Sequence, residues 1–448
     1  MIAGFLIIIS IVIYILAPTT YSFEYCLLCH NVFILDLAYL LYKDLKNEKI
    51  GFNTLFSISF YFTNFVYPIF IYPVNPDFSL FQYRFDVNVV SKCTALALLA
   101  YSVYVGGYIY RLNKIPKYNL NRFPTIPIRI VKRLFNLLVI FIVLFIASGG
   151  IDYYEDRYER GDMSENLYAQ YIYLFLSPLI TLVVSSLLCF KTSSLKNIIA
   201  LVLLAFTGVL LMSGTRTLPL TVLLMLLYVY SVKHKISNVS ILIVLIVGIV
   251  LMSVIGEMRS GVNDLSQSLE GDQEVGLWAK FSDLIINNRN LYVFYDYVDS
   301  HSVTWGLSMV QGILSPIPFA QTLFMSITGL PYFLLGSPDF STYLTLGGGK
   351  TFGLGTNLVG DVYLAFGIVG IFICFFILGN LIVYVRSKLR NGSVYDLIIY
   401  LVLLGDAVYL CRASYFNSFR AIVWSLLFAY ILFNKYIKNE YITNHSRK

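Results

Sequence analysis

Residues 355–385 read GTNLVGDVYLAFGIVGIFICFFILGNLIVYV, a run with a single charged side chain, Asp361. Apolar runs of about 18 residues or more are transmembrane-helix candidates, because a helix pairs its own backbone where lipid offers no partner. This run is long enough to tilt or to begin outside the bilayer. Working outward, further apolar windows fall near 2–17, 24–42, 52–72, 90–110, 134–150, 170–190, 197–212, 217–232, 239–257, 394–411 and 419–434. The composition agrees: 58% of residues are hydrophobic and 13% charged, against roughly 25% charged in soluble domains. The expected fold class is all-α, a polytopic transmembrane helical bundle of about 12 spans. The window 24–42 is the weakest, since His30 and Asp36 lie inside it. The first window has no basic residue before it and no small-residue cleavage site, so it reads as a retained span.

Lys and Arg set the orientation. Most of the 32 lie in alternate short loops, such as Lys43/Lys46/Lys49, Arg111 through Arg133, Lys191/Lys196, Lys233/Lys235 and Arg386/Lys388/Arg390, and in the tail. That pattern predicts both termini on the cytoplasmic side. It also accounts for the net charge of +7 without invoking nucleic acid. The other cations, among them Arg84, Arg157, Arg160, Arg216, Arg259, Arg289, Lys350 and Arg412, fall on the outer side or at outer span ends. The expected organisation is about nine spans in 1–257, a large extracytoplasmic loop over 258–354 and about three spans in 355–448. Within the loop, 307–336 is apolar enough for another span but is interrupted by Pro316, Pro318 and Pro331. A crossing there would also move the basic tail outside. A re-entrant or interfacial segment is therefore expected.

Several short motifs carry charge at outer ends. Ser213-Gly-Thr-Arg216 sits between two short windows, with Pro219 beyond. Its structural reading is a snorkelling anchor. Its functional reading is a phosphate ligand, because the guanidinium fork matches phosphate oxygens. Glu257-Met-Arg259 ends the ninth window, Arg157-Tyr-Glu-Arg160 lies in an acidic loop, and Arg412-Ala-Ser-Tyr-Phe-Asn-Ser-Phe-Arg420 forms the last outer turn. A local ion pair and a solvated charge run are the structural readings of the first two. Gly347-Gly-Gly-Lys350-Thr lacks the Gly six residues before the Lys that a nucleotide loop needs, since Leu344 stands there. Cys26-Leu-Leu-Cys29-His30 matches a haem-attachment pattern, but it opens an apolar helix and reads as a buried structural pair. With four His and scattered Cys, no metal site and no cofactor are expected. Tyr292, Tyr295 and Tyr297 cluster in the long loop, where such rings suit sugar faces and lipid headgroups equally.

Taken together these residues resemble the O-antigen polymerase (Wzy-type) family, also called oligosaccharide repeat unit polymerases. The carriers are the Arg157/Arg160 loop, Ser213-Gly-Thr-Arg216, the late turn with Arg412 and Ser414, and the run from Gly353-Leu-Gly-Thr-Asn through Asp361 and Tyr363 to Gly370. The family often has Glu where this chain has Asp361, and Gly where it has Thr217. The resemblance implies glycosyl transfer on the outer face of the bacterial cytoplasmic (inner) membrane. Its substrates would be undecaprenyl-diphosphate-linked oligosaccharides, and membrane lipid would surround the protein. A chain-length regulator is an implied partner.

The chemistry then assigns roles. A leaving diphosphate needs fixed cations where its charge builds up. Arg216, Arg259 and Arg412 are the candidates, followed by Arg157, Arg160 and Lys350, with Tyr363 beside the sugar. An acceptor hydroxyl needs a base: Asp361 first, then Glu257 and His301. The alternatives are an O-antigen ligase acting on lipid A core, which shares the donor, and a flippase or exporter of lipid-linked oligosaccharide. The chain shows no internal repeat of the kind flippases carry.

Overall fold

The computed structural model describes residues 2–44, 50–76, 78, 83–115, 123, 125–152, 166–190, 192–234, 281–348, 353–389 and 393–445. Among them every regular element is helical and there is no strand. Six of the described helices are long and apolar enough to cross a membrane: Phe23–Asp44, Val87–Leu112, Ile128–Ala147, Leu167–Cys189, Ser194–Met212 and Leu358–Leu389. Shorter apolar helices cover Ile2–Ile15, Thr217–Val232 and Phe419–Phe433. Two expected windows are interrupted. The Phe52–Asn64 helix gives way to a π-helical turn, Tyr67–Ile71, and the Val394–Asp406 helix stops before the turn Leu410–Arg412. The window near 239–257 lies outside the described residues. Over 307–336 the helices are Val310–Leu314 and Ala320–Thr328, followed by a 3-10 turn at Tyr332–Leu334, each too short to cross a bilayer.

The chain forms two compact units. The first comprises Met1–Lys117, Ile236–Tyr384 and Asp406–Asn417. Its axis is the Val90–Leu112 helix, nearly all of which is buried. Ile2–Ile15 and Phe23–Asp44 pack along it. Leu358–Leu389 meets it at backbone distance. A Cβ on Gly379 would stand 2.2 Å from the Tyr104 carbonyl oxygen, and one on Gly107 would stand 2.3 Å from that of Phe376. Small residues at such crossings let backbones approach where lipid supplies no hydrophobic drive between helices.

Polar side chains tie the same helix to its neighbours. Ser102 donates to Asp36 and lies 2.6 Å from Ser10 (Oγ to Oγ). Tyr108 donates to Asp44 at 2.5 Å, Asn53 donates to the same carboxylate at 2.8 Å, and Tyr104 donates to Asn53. The charge that weakened the second window is thus an inward-facing acceptor.

The second unit comprises Tyr118–Lys235, Val385–Gly405 and Ser418–Lys448. Leu167–Cys189 packs against Ile128–Ala147, Thr217–Lys233 and Phe419–His445. The Phe175 ring stands edge-on to Trp424, centroids 5.4 Å apart. Gly405 brings Val394–Asp406 close to Thr217–Lys233, since a Cβ there would lie 2.7 Å from Thr221 Cγ2.

The opening run departs from the sequence expectation in one respect. It is two helices joined at Gly367, whose φ of 61° and ψ of −149° are open to glycine and strained for other residues. The break frees carbonyls of the preceding turn. The Thr304 N–H donates to Leu364 O at 2.8 Å and the Gly306 N–H to Ala365 O at 3.1 Å.

Below the break, Val369, Ile373, Ile377 and Leu381 are exposed at helical spacing, as on a lipid-facing stripe. Gly379→Ala is expected to destabilise the first unit by about 1–3 kcal/mol. Thermal unfolding of the detergent-solubilised protein measures this, and an unchanged melting temperature would contradict the backbone contact.

Candidate functional site

The functional candidates of the first unit gather where the long interruption meets the Leu358–Leu389 helix. The start of that helix is built by Asn357. Its Oδ1 accepts from the N–H groups of Val359 at 2.9 Å and Gly360 at 3.1 Å, pairing two donors that a helix start leaves open. Its Nδ2 donates to Asn64 Oδ1 at 3.0 Å. Gly355 has φ +71°, and a Cβ there would lie 2.9 Å from Asn287 Oδ1. The segment Gly353-Leu-Gly-Thr-Asn357 is therefore held from several sides. Asn290 donates to Leu354 O at 3.0 Å, Ser341 to Gly355 O at 2.6 Å, and Thr356 to Ser337 Oγ at 2.9 Å. Asn64, Asn287, Asn288, Asn290, Ser337, Thr356 and Asn357 are all buried.

Asp361 follows in the first turn and is fully buried. Its N–H donates to Asn357 O at 2.7 Å. Its Oδ2 accepts from the Tyr415 N–H at 2.7 Å, while among the described residues nothing donates to Oδ1. The Ser337 hydroxyl lies beside the same carboxyl.

Tyr415 belongs to the Arg412 turn, and its hydroxyl donates to Cys374 O at 2.8 Å. The Arg412 guanidinium lies 5.5 Å from the Tyr409 ring centroid. The fold therefore brings together two regions picked from sequence, Asp361 and the Arg412 turn. The link runs through the Tyr415 backbone.

The other candidates divide. His301 is exposed at the end of Asn288–Ser300, with Nδ1 2.8 Å from the Ser300 hydroxyl and its ring stacked on Tyr297 at 4.6 Å. It leads into the Thr304–Gly306 stretch that caps the break at Gly367. Tyr363 is half-buried and stacks on Tyr295, centroids 5.2 Å apart and planes 4° apart. Tyr292 and Tyr295 are buried, so these two rings pack inward and present no open face to a sugar. Arg157, Arg160, Glu257, Arg259 and Lys350 lie outside the described residues.

Arg216 belongs to the second unit. The residues before it form a glycine-terminated helix end. Gly214 has φ +79°, its N–H donates to Leu211 O, and the Thr215 N–H and hydroxyl both donate to Leu210 O. Ser213, Gly214 and Thr215 are thus explained by turn chemistry. Arg216 then stands half-buried at the start of Thr217–Lys233.

Arg289 is one of the expected outer cations and carries no assigned role in the sequence motifs. It is buried, and its acceptors among the described residues are neutral: Tyr83 O at 2.9 Å, Arg84 O at 3.5 Å and Thr345 Oγ1 at 2.8 Å. Burial pushes its pKa down to about 10. The polar run Asn287-Asn-Arg-Asn290 was the available signal, four polar residues opening a helix otherwise rich in apolar and aromatic side chains.

The family model described as O-antigen polysaccharide polymerase Wzy matches residues 1–440. No curated protein and no solved structure matches the chain. Asn357→Ala is expected to cost about 1–3 kcal/mol, because it removes a cap and takes the donor from the buried Asn64 Oδ1. A melting curve in detergent checks this.

Proposed function

The chain belongs to the O-antigen polysaccharide polymerase Wzy family, and from that premise we propose a specific glycosyl transfer. The growing glycan leaves undecaprenyl diphosphate and is joined to the non-reducing end of an incoming undecaprenyl-diphosphate-linked repeat unit. The reaction takes place on the outer face of the bacterial inner membrane, with both chain termini in the cytoplasm. The observation that carries this reading is the buried carboxylate of Asp361, held by the backbone of an arginine-bearing turn, with one oxygen that has no donor among the described residues.

An acceptor hydroxyl attacks the anomeric carbon and loses its proton to a base. Undecaprenyl diphosphate leaves with the electrons of the broken glycosyl bond. The transition state has oxocarbenium character, as in glycoside hydrolysis, with a sugar hydroxyl in place of water. Arg216, Arg259 and Arg412 stabilise the charge that gathers on the diphosphate, and Arg157, Arg160 and Lys350 assist. Asp361 is the leading base, ahead of Glu257 and His301. Its Oδ2 is already engaged by Tyr415, which leaves Oδ1 for the proton. Tyr363 borders the sugar. Trp305, Ile317, Phe319, Leu323 and Ile327 are exposed around the short helices of 307–336, which suits a segment lying in the membrane interface. A chain-length regulator would act on the assembled polymerase.

Asp361→Asn keeps an acceptor for the Tyr415 N–H and removes the base. It is expected to abolish polymer while the protein still inserts and melts normally. A normal ladder of chain lengths from that variant would shift the base to His301 or Glu257. Arg216→Ala and Arg259→Ala are each expected to leave cells with single repeat units, seen as a lost polymer ladder on a gel. Full-length polymer from both variants would remove the diphosphate clamp.

A further inference from the structure

Arg289 opens onto a cavity of about 320 Å³ in the first unit, lined by residues 83–86 and by the Asn288–Ser300 and Ser337–Leu346 helices, with Asp361 not among its lining residues. That volume is at the small end of ligand clefts, roughly 300–1,000 Å³. The polar lining comprises Tyr83, Arg84, Asp86, Arg289, Asp296 and Thr345. Arg289 is the buried base of the cavity, while Arg84, Asp86 and Asp296 are exposed.

A guanidinium offers five N–H donors. Here Nε and Nη2 go to Tyr83, Arg84 and Thr345, and among the described residues none accepts from Nη1. Asp86 Oδ1 accepts the Asn88 N–H, which fixes the carboxylate at the start of the turn Val87–Val89.

The charges decide the ligand class. Two guanidinium groups and two carboxylates leave the lining with no net charge. A phosphate would meet the two carboxylates unfavourably. A polyol meets donors and acceptors together, since carboxylates accept from hydroxyl hydrogens and guanidinium N–H groups donate to hydroxyl oxygens. We infer that the cavity formed by Arg84, Asp86, Arg289 and Asp296 binds a sugar ring of the lipid-linked repeat unit, as a subsite separate from the diphosphate clamp. This deepens the polymerase reading and rests on it.

The test uses the purified full-length protein in detergent and two probes. One is undecaprenyl diphosphate. The other is the lipid-linked repeat unit extracted from cells lacking this protein. Native mass spectrometry gives the Kd of each. Wild type is expected to hold the sugar-bearing lipid about tenfold or more tightly than the bare one. Asp86→Asn combined with Asp296→Asn keeps the turn cap and the side-chain shapes. It is expected to erase that preference without changing the Kd for undecaprenyl diphosphate. Arg84→Gln, at an exposed position, is expected to act in the same direction.

A double variant that keeps the wild-type preference overturns the inference. So does one that binds the bare lipid more tightly, which would assign the cavity to phosphate. A wild type that binds both lipids equally overturns the subsite and leaves the polymerase reading standing. A wild type that binds neither lipid overturns both.

Discussion

The carbonyls of Leu364 and Ala365 need donors once the chain turns at Gly367, and much of the first unit is arranged around that need. Within an apolar helix a released carbonyl has no water to turn to, and leaving it unpaired costs several kcal/mol. Thr304 and Gly306 supply the donors. This ties the stretch that follows the Asn288–Ser300 helix to the turn before Gly367. Gly306 itself has a φ of +85°, a conformation strained for other residues, and a Cβ there would lie 2.8 Å from the Phe366 ring. A break in one helix and a tether from the long interruption are thus the same feature seen from two sides.

The start of that helix obeys the same rule. Asn357 caps it, Asn64 orients Asn357, and Asn290, Ser341 and Thr356 fasten the preceding loop. Buried polar groups in a low-dielectric interior are strong when fully paired and costly when not. The network therefore holds its members in one arrangement. Among the described residues, Asp361 Oδ1 and Asn288 Oδ1 are buried here without a donor, and Arg289 is a cation donating to neutral acceptors. Of these, Asp361 and Arg289 carry charge, and both keep hydrogen-bonding capacity for a ligand.

The residues carrying the family resemblance prove to be of two kinds. Gly353-Leu-Gly-Thr-Asn357 and Ser213-Gly-Thr215 are accounted for by a helix cap, a left-handed glycine and a glycine-terminated helix end. Asp361, Arg216 and Arg412 have charge that turn geometry does not call for. Short motifs in this chain thus mix residues that shape a turn with residues that use it. Tyr292 and Tyr295 show the opposite outcome, since aromatic residues in a hydrophilic stretch were drawn into the core by their area.

Long apolar windows, the all-helical class and the absence of a full span over 307–336 follow from the sequence alone. They depend on local hydropathy and on proline placement, which a one-dimensional reading contains. The motif positions of Asp361 and Arg412 were also visible there. Only the tertiary structure decided that the two meet through the Tyr415 backbone, that one long apolar run is two helices, that two expected windows are interrupted, and that Arg289 is buried beside a cavity. Each depends on which polar groups find partners far along the chain, and hydrogen bonds such as Asn357 to Asn64 or Tyr415 to Asp361 leave no periodic trace in the sequence.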